Sequence, residues 1–412
     1  MTAPAESEAT VPERGVAAVI VLAAGAGTRM KSQTSKLLHK VAGRSLLSYA
    51  VDAAGALSPE HLVVVVGHQR DQVEAHLADI APHVTIAVQE SPRGTGDAVR
   101  SGLAVLPELA GEIVVTYGDV PLLTGDTLKS LVGVHRDRLD AVTVLTTVLE
   151  DAGAYGRILR DDDGEVVGIV ERKDCTPEQA AIREINAGIY VFEADTLRAG
   201  LASLTTDNAQ GELYLTDVVG FARGQGKHVH PMVLDDPWEA EGVNDRSQLA
   251  VLGRILNQRI CERWMRAGVT IVDPATTWIE DGVDIEPDVT LLPGTQLEGA
   301  TTIRSGATIG PDTTLRDAEI GCDAIVVRTH GLLATVGDRA CVGPYAHLRP
   351  GTEVEADARV GAFVELRAAH VDAGERVPPL TARDEHVVAG TREETAGSAT
   401  RDDGTRVRGD GE

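Results

Sequence analysis

Aliphatic residues recur at every sixth position over two long stretches of this chain. Ile285, Leu291, Leu297, Ile303, Ile309 and Leu315 form the first run, and Val336, Val342, Leu348, Val354, Val360 and Leu366 the second. A spacing of six fits no α-helix, whose faces repeat every 3.6 residues. Small and turn-forming residues fill the gaps, so each hexapeptide offers one side chain to a core that it cannot bury alone. Stacked hexapeptides can bury it, three to a triangular coil, which predicts a left-handed parallel β-helix over residues 269–377. The 21 residues from Leu315 to Val336 are not a multiple of six, so the phase breaks once.

The chain ahead of the repeat follows a different rule. Val16–Leu22, Leu62–Val66, Ile113–Thr116, Ala141–Leu149 and Gly188–Val191 read as strands, separated by helical stretches. That alternation predicts an α/β domain over residues 16–245, doubly wound and Rossmann-like, with a mostly parallel sheet. Ligands of such sheets bind beyond the carboxyl ends of the strands. Residues 246–268, free of proline and closed by Gly268, read as a linker helix. The polar stretches 1–15 and 378–412 are expected to be disordered.

The first strand opens into Leu22-Ala-Ala-Gly-Ala-Gly-Thr-Arg-Met30, with Ser35-Lys36-Leu37 just beyond. Gly25 and Gly27 let the backbone approach an anion, and Arg29 and Lys36 supply charge. The dinucleotide fingerprint is excluded because its third glycine would fall on Met30, and a P-loop because no Gly-Lys-Ser/Thr closes the turn. By glycine spacing alone, a phosphate cradle and an ordinary tight turn are equally open.

Composition narrows the partners. A net charge of −25 argues against nucleic acid and against an anionic membrane surface, both of which demand clustered Lys and Arg. No run approaches the roughly 20 apolar residues of a membrane span. Cys175, Cys261, Cys322 and Cys341 match no zinc or Cys-x-x-Cys spacing and read as reduced thiols, which places the protein in the cytoplasm.

Several further segments occur in order: Gln89, Gly94-Thr-Gly-Asp-Ala98, Tyr117-Gly-Asp-Val-Pro-Leu122, Tyr155-Gly-Arg157, Ile169-Val-Glu-Arg-Lys-Asp174, Glu184-Ile-Asn-Ala-Gly-Ile189 and Glu241-Gly-Val-Asn244. With the glycine loop, this set resembles the sugar-1-phosphate nucleotidylyltransferases. Within them it resembles the bacterial bifunctional N-acetylglucosamine-1-phosphate uridylyltransferase and glucosamine-1-phosphate acetyltransferase family, from about Val16 to about Val377. The resemblance implies attack of N-acetylglucosamine 1-phosphate on the α-phosphorus of UTP, giving UDP-N-acetylglucosamine for cell-wall precursors. It implies Arg29, Lys36 and Asp119 as catalytic groups and Mg2+ as cofactor, held by Asp119 and Asn244. Leu22, Ala23, Ala24, Gly25, Lys36, Gln89, Gly94 and Thr95 would meet UTP and its uracil. Gly156, Glu171, Asn186 and Asn244 would meet the sugar. Hexapeptide helices of this family usually trimerise, which implies a homotrimer.

The second activity is expected to be lost. Tyr345–Gly351 keeps Arg349 of the family's Arg-Pro-Gly segment, but Gly361–Arg367 carries Ala362 for Asn and Arg367 for Lys. Where the family reads His-Leu-Thr-Tyr, this chain reads Pro379-Leu-Thr-Ala382, so the general base becomes a proline. No Asn follows Asn257 and no Lys follows Lys227, so neither group is resupplied nearby. Two alternatives stand beside this reading: a nucleotidylyltransferase for another sugar 1-phosphate, and a non-catalytic hexapeptide scaffold subunit.

Overall fold

A computed structural model of the chain describes residues 15–384. These residues gather into two compact units. One runs to Arg266 and includes Trp278–Val283; the other comprises Ala267–Thr277 and the chain from Asp284 onward.

The first unit is built on a nine-stranded sheet. Its strands are β1 (Ala18–Ala23), β2 (His61–Val66), β3 (Thr85–Val88), β4 (Glu112–Tyr117), β5 (Val142–Val148), β6 (Arg157–Arg160), β7 (Val166–Val170), β8 (Glu184–Glu193) and β9 (Val229–Val233). The main order is β9-β5-β8-β4-β1-β2-β3, and the antiparallel hairpin β6–β7 pairs through β6 with β8. β1 lies parallel to both β2 and β4, as the alternation of strands and helices predicts. β8 departs from it, running antiparallel to both β4 and β5. β6 pairs antiparallel with both β7 and β8, so β8 runs in the direction of β7 and against β5. The sheet is therefore mixed.

Every residue of β1 is buried, and alternate side chains enter different cores. Val19, Val21 and Ala23 pack with helices Leu46–Gly55 and Gly125–Arg138. Ala18, Ile20 and Leu22 pack with helices Thr95–Ala104, Ala194–Ser203 and Asp217–Gly224. A strand covered on both faces must be continuously apolar, which is why Val16–Leu22 shows no alternation.

The helix Arg246–Arg266 belongs to this unit. Its Leu252 joins Met30, Val41, Leu46, Leu122 and Val243 in a core cluster. Arg246 Nε donates to the Met30 carbonyl at 3.2 Å and Arg259 to the Leu122 carbonyl at 2.9 Å. The linker helix expected over 246–268 is a helix from Arg246 to Arg266 that packs into the first unit.

The second unit is a left-handed parallel β-helix with three sheets, to which its own strands contribute seven, six and six. All twelve aliphatics of the two hexapeptide runs are buried. Across the phase break the inward positions are Leu315, Ile320, Val326, Gly331 and Val336, so three of the four steps are five residues long. Gly331 stacks between Leu315 and Leu348, and a Cβ there would lie 2.9 Å from Leu315 Cδ2. Buried threonines fasten successive coils: Thr295 Oγ1 donates to the Ile309 carbonyl at 3.3 Å, Thr301 Oγ1 to Leu315 at 3.4 Å, and Thr352 Oγ1 to Leu366 at 3.1 Å, each in the next coil.

The expectation that residues from 378 onward leave the repeat is corrected at its start. Ala382–Asp384 pairs in parallel with Glu365–Arg367, adding a strand. The aliphatic signal fails there because Arg383 occupies the position opposite Leu366, its guanidinium held by Glu375 at 2.7 Å and the His370 carbonyl at 3.2 Å. The rest of that expectation, and nearly all of the one for 1–15, lies outside the described residues.

Candidate active site

The glycine loop leaves β1 at Ala23 and runs through two single turns, Thr28–Met30 and Lys36–Leu38. Two glutamines from the far side hold it in place. Gln69 and Gln72 both donate to the Gln33 carbonyl, at 2.9 and 3.0 Å, while Gln72 Oε1 accepts from Ser35 N at 3.0 Å. So braced, the loop points its two cations at the end of β4. Lys36 Nζ forms an ion pair with Asp119, both side chains being mostly buried. Arg29 donates to Asn244 Oδ1 at 2.7 Å. Val243 N donates to the Asp119 carbonyl at 2.9 Å, drawing the Glu241–Asn244 segment against the strand end.

Two depressions open here with a shared wall. The larger, about 810 Å3, is lined by Leu22, Ala23, Ala24, Gly25, Lys36, Gln89, Gly94, Thr95, Tyr117 and Asp119. The smaller, about 230 Å3, is lined by Tyr155, Gly156, Glu171, Asn186, Asn244 and again Tyr117 and Asp119. Every nucleotide-side residue expected from the sequence lines the first, and every sugar-side residue lines the second. Arg29 lines neither and acts on the wall through Asn244.

The local chemistry refines three of these residues. Gln89 follows β3, and its Nε2 donates both to the Gly94 carbonyl at 3.1 Å and to Asp97 Oδ2 at 3.0 Å. Glu171 sits among Asp174, Asp217 and Glu212; burial first, and those carboxylates second, push its pKa up, while a hydrogen bond from Thr216 opposes them. Asn186 is committed within the fold more than expected. Its Nδ2 donates to Tyr190 Oη at 2.7 Å and its Oδ1 accepts from Gly188 N at 2.9 Å, fixing the bulge in β8. One amide proton is left for a ligand.

Tyr117 was not singled out from the sequence, yet it forms the partition between the two depressions. It needs Gly188 opposite: φ there is +77°, and a Cβ would lie 2.2 Å from Tyr117 Cε2. Tyr155, whose hydroxyl donates to Glu241 at 2.8 Å, and the Gln69–Gln72 clamp were also missed. Single polar residues of these types carry no spacing signal of their own.

A family model for the MobA-like NTP transferase domain matches residues 19–209. The chain is 56% identical over 391 residues to the bifunctional protein GlmU of Cutibacterium acnes, spanning 93% of this chain and 92% of that one. It is 53% identical over 374 residues to the bifunctional protein GlmU of Pseudarthrobacter chlorophenolicus, spanning 90% and 76%. The chain belongs to the GlmU family. Its first unit is a nucleotidyltransferase with nucleotide and sugar-phosphate substrates, the N-acetylglucosamine-1-phosphate uridylyltransferase.

GlmU-type nucleotidyltransferases use a divalent metal. No group of three or more His, Cys, Asp or Glu among the described residues converges to hold an ion unaided. One carboxylate and one amide oxygen, Asp119 and Asn244, stand on the same wall. That donor set suits a hard cation completing its shell with water and phosphate oxygens. Both oxygens accept from cations here, Asp119 from Lys36 and Asn244 from Arg29, so neither is left uncompensated.

In the second unit, Arg349 Nε lies 2.9 Å from Glu365 Oε1, and Arg367 is 3.4 Å from Asp384 Oδ2. The column through this face reads His347, Glu365, Ala382 on three successive coils. His347 stacks in that column on His330 of the preceding coil, their ring centroids 5.4 Å apart. It stands two coils from Ala382, roughly 10 Å at ~4.8 Å per step. Burial first, and then Arg349, lower its pKa.

Proposed function

We propose that the larger depression takes UTP and the smaller N-acetylglucosamine 1-phosphate, so that the sugar phosphate reaches the α-phosphorus across the Tyr117–Asp119 wall. The observation that carries this is the shared wall itself: both sets of lining residues meet only at Tyr117 and Asp119. One sugar-phosphate oxygen forms a bond to the α-phosphorus, the bond to the bridging oxygen breaks, and pyrophosphate leaves with that electron pair. Such a transfer asks the protein for alignment and charge neutralisation. Arg29 and Lys36 supply positive charge to the triphosphate and the departing pyrophosphate. Asp119 and Asn244 would hold Mg2+, which when bound neutralises the reacting phosphates. On the base, Gln89 Oε1 accepts from uracil N3–H, and the backbone N–H groups of Gly94 and Thr95, which have no other acceptor among the described residues, serve the neighbouring carbonyl. Glu171 and Asn186 hydrogen-bond the sugar beside Gly156, and the β-helix assembles the homotrimer.

The same proposal gives no acetyl transfer to glucosamine 1-phosphate. Pro379 offers no proton acceptor, Ala382 no hydroxyl, and both the retained Arg349 and Arg367, which stands for the family's lysine, are ion-paired within the coil stack. The test uses labelled UTP with a panel of sugar 1-phosphates, alongside release of CoA thiol from acetyl-CoA with glucosamine 1-phosphate. Expected are N-acetylglucosamine 1-phosphate as the best uridylyl acceptor and no thiol release. A better acceptor from the panel, no pyrophosphate release at all, or thiol release within tenfold of the uridylyl rate would overturn the corresponding part.

A further inference from the structure

We infer that Asp97 is a positioning residue that sets the base specificity of the nucleotide site by locking the orientation of the Gln89 amide. The inference rests on the assignment of Gln89 to the base. Gln89 is buried, and both hydrogens of its Nε2 are taken: one by the Gly94 carbonyl at 3.1 Å, the other by Asp97 Oδ2 at 3.0 Å. Turning the amide over would set its oxygen against a carbonyl and a carboxylate, two groups that can only accept. Left in its observed orientation, Gln89 presents only Oε1, which has no partner among the described residues.

Asp97 is built to enforce this. Its side chain is buried on the third residue of helix Thr95–Ala104, where the amino-terminal dipole favours negative charge. Its other oxygen accepts from Arg93 at 3.0 Å, from the solvent side. A carboxylate has no proton to offer Gln89, so the amide has one satisfied orientation.

That orientation makes a reading pattern. Beside the Oε1 acceptor lie the N–H donors of Gly94 and Thr95 at the same cleft wall. A donor next to an acceptor matches uracil, whose O4 accepts and whose N3–H donates. Cytosine carries the reverse at these two positions, an N4 amino donor and an N3 acceptor, so both contacts become like against like. A site whose polar groups are left unpaired by the wrong ligand discriminates strongly. Asp97 never touches the base; together with the Gly94 carbonyl it decides which face Gln89 shows.

The experiment compares kcat/KM for UTP and CTP, each with N-acetylglucosamine 1-phosphate, in the parent chain and in Asp97→Asn. An asparagine can turn either its oxygen or its amino group to Gln89, which removes one of the two acceptors that hold the amide and leaves only the Gly94 carbonyl against its rotation. The UTP:CTP ratio is expected to fall at least tenfold in Asp97→Asn, with part of the change a gain in CTP turnover. Arg93→Ala, which keeps the carboxylate, is expected to hold the ratio within about twofold of the parent. Should Asp97→Asn lose its folded baseline in thermal melts, Asp97→Ser carries the same test, since a hydroxyl both donates and accepts. Equal losses of UTP and CTP turnover, leaving the ratio unchanged, would mean Asp97 is only structural and would overturn the inference while the uridylyl reading stands. A parent that uses CTP as well as UTP would overturn both.

Discussion

The two units solve the same problem, burying a row of aliphatics, and tie their chemistry to that solution very differently. In the first unit the site residues are also fold residues. Asn186 closes the bulge of β8, Tyr117 is seated against Gly188, and Gln89 is tied to the helix that begins at Thr95. In the β-helix, chemistry rides on outward positions that the coil does not consult. Its last described strand, Ala382–Asp384, pairs as regularly as those before it, although proline stands at 379 and alanine at 382. A solenoid can therefore exchange outward residues and keep its shape, whereas the α/β unit cannot easily do so.

The sharpest way to break this contrast is through the β-helix core. Ile303→Asp places an unpaired carboxylate in a column between Ile285 and Ile320, and should cost about 4 kcal/mol in urea unfolding. A midpoint shift worth less than ~1 kcal/mol would mean that the column is not a sealed core.

The next largest effect belongs to the first unit and is read in turnover. Asp119→Ala is expected to lower uridylyl turnover at least ~100-fold, near 2.7 kcal/mol of transition-state stabilisation. Pyrophosphate release measured on protein with a parent-like circular dichroism spectrum checks it, and retention of a tenth of the activity removes Asp119 from the chemistry.

How much of this was legible beforehand follows the same division. The period of six named the β-helix and its inward residues because every coil repeats the instruction. It fell silent at Gly331 and Arg383, where the inward position carries no aliphatic. In the first unit the glycine loop and Asp119 stood out as motifs. The pairing of Arg29 with Asn244 did not, because 215 residues separate them and only the fold joins them. The antiparallel course of β8 was hidden too, since a strand's direction is set by its connection and not by its composition.

A smaller effect sharpens the contrast within the site. Burial and nearby carboxylates raise the Glu171 pKa in the folded state, so its neutral form is favoured there. Its contribution to stability is fully present below the ordinary glutamate value of 4.5 and is lost as pH rises through the raised one. Glu171→Gln should then match the parent in urea unfolding at acid pH and exceed it at pH 8, with the sugar-phosphate KM within about threefold. A variant less stable than the parent at pH 8 would show that the charged form is the one the site holds.

The smallest effect is on the outer face of the coils. Restoring the family's residues with Pro379→His and Ala382→Tyr should move stability by under ~0.5 kcal/mol, because both positions are exposed. A larger loss in thermal melts would show that this face does constrain the coil.

The ion pair of Lys36 with Asp119 has a consequence for which ligands succeed. A cation whose counter-ion is tethered beside it behaves as though bathed in a concentrated solution of carboxylate, on the order of millimolar or more. A lone phosphate or sulfate offers Lys36 little that Asp119 does not already give. On the proposed roles of Lys36 and Asp119, a polyphosphate that arrives with its own divalent ion would engage both partners at once, one for each half of the pair. The site is thus deaf to simple anions at ordinary concentrations and opens to a ligand carrying both signs of charge.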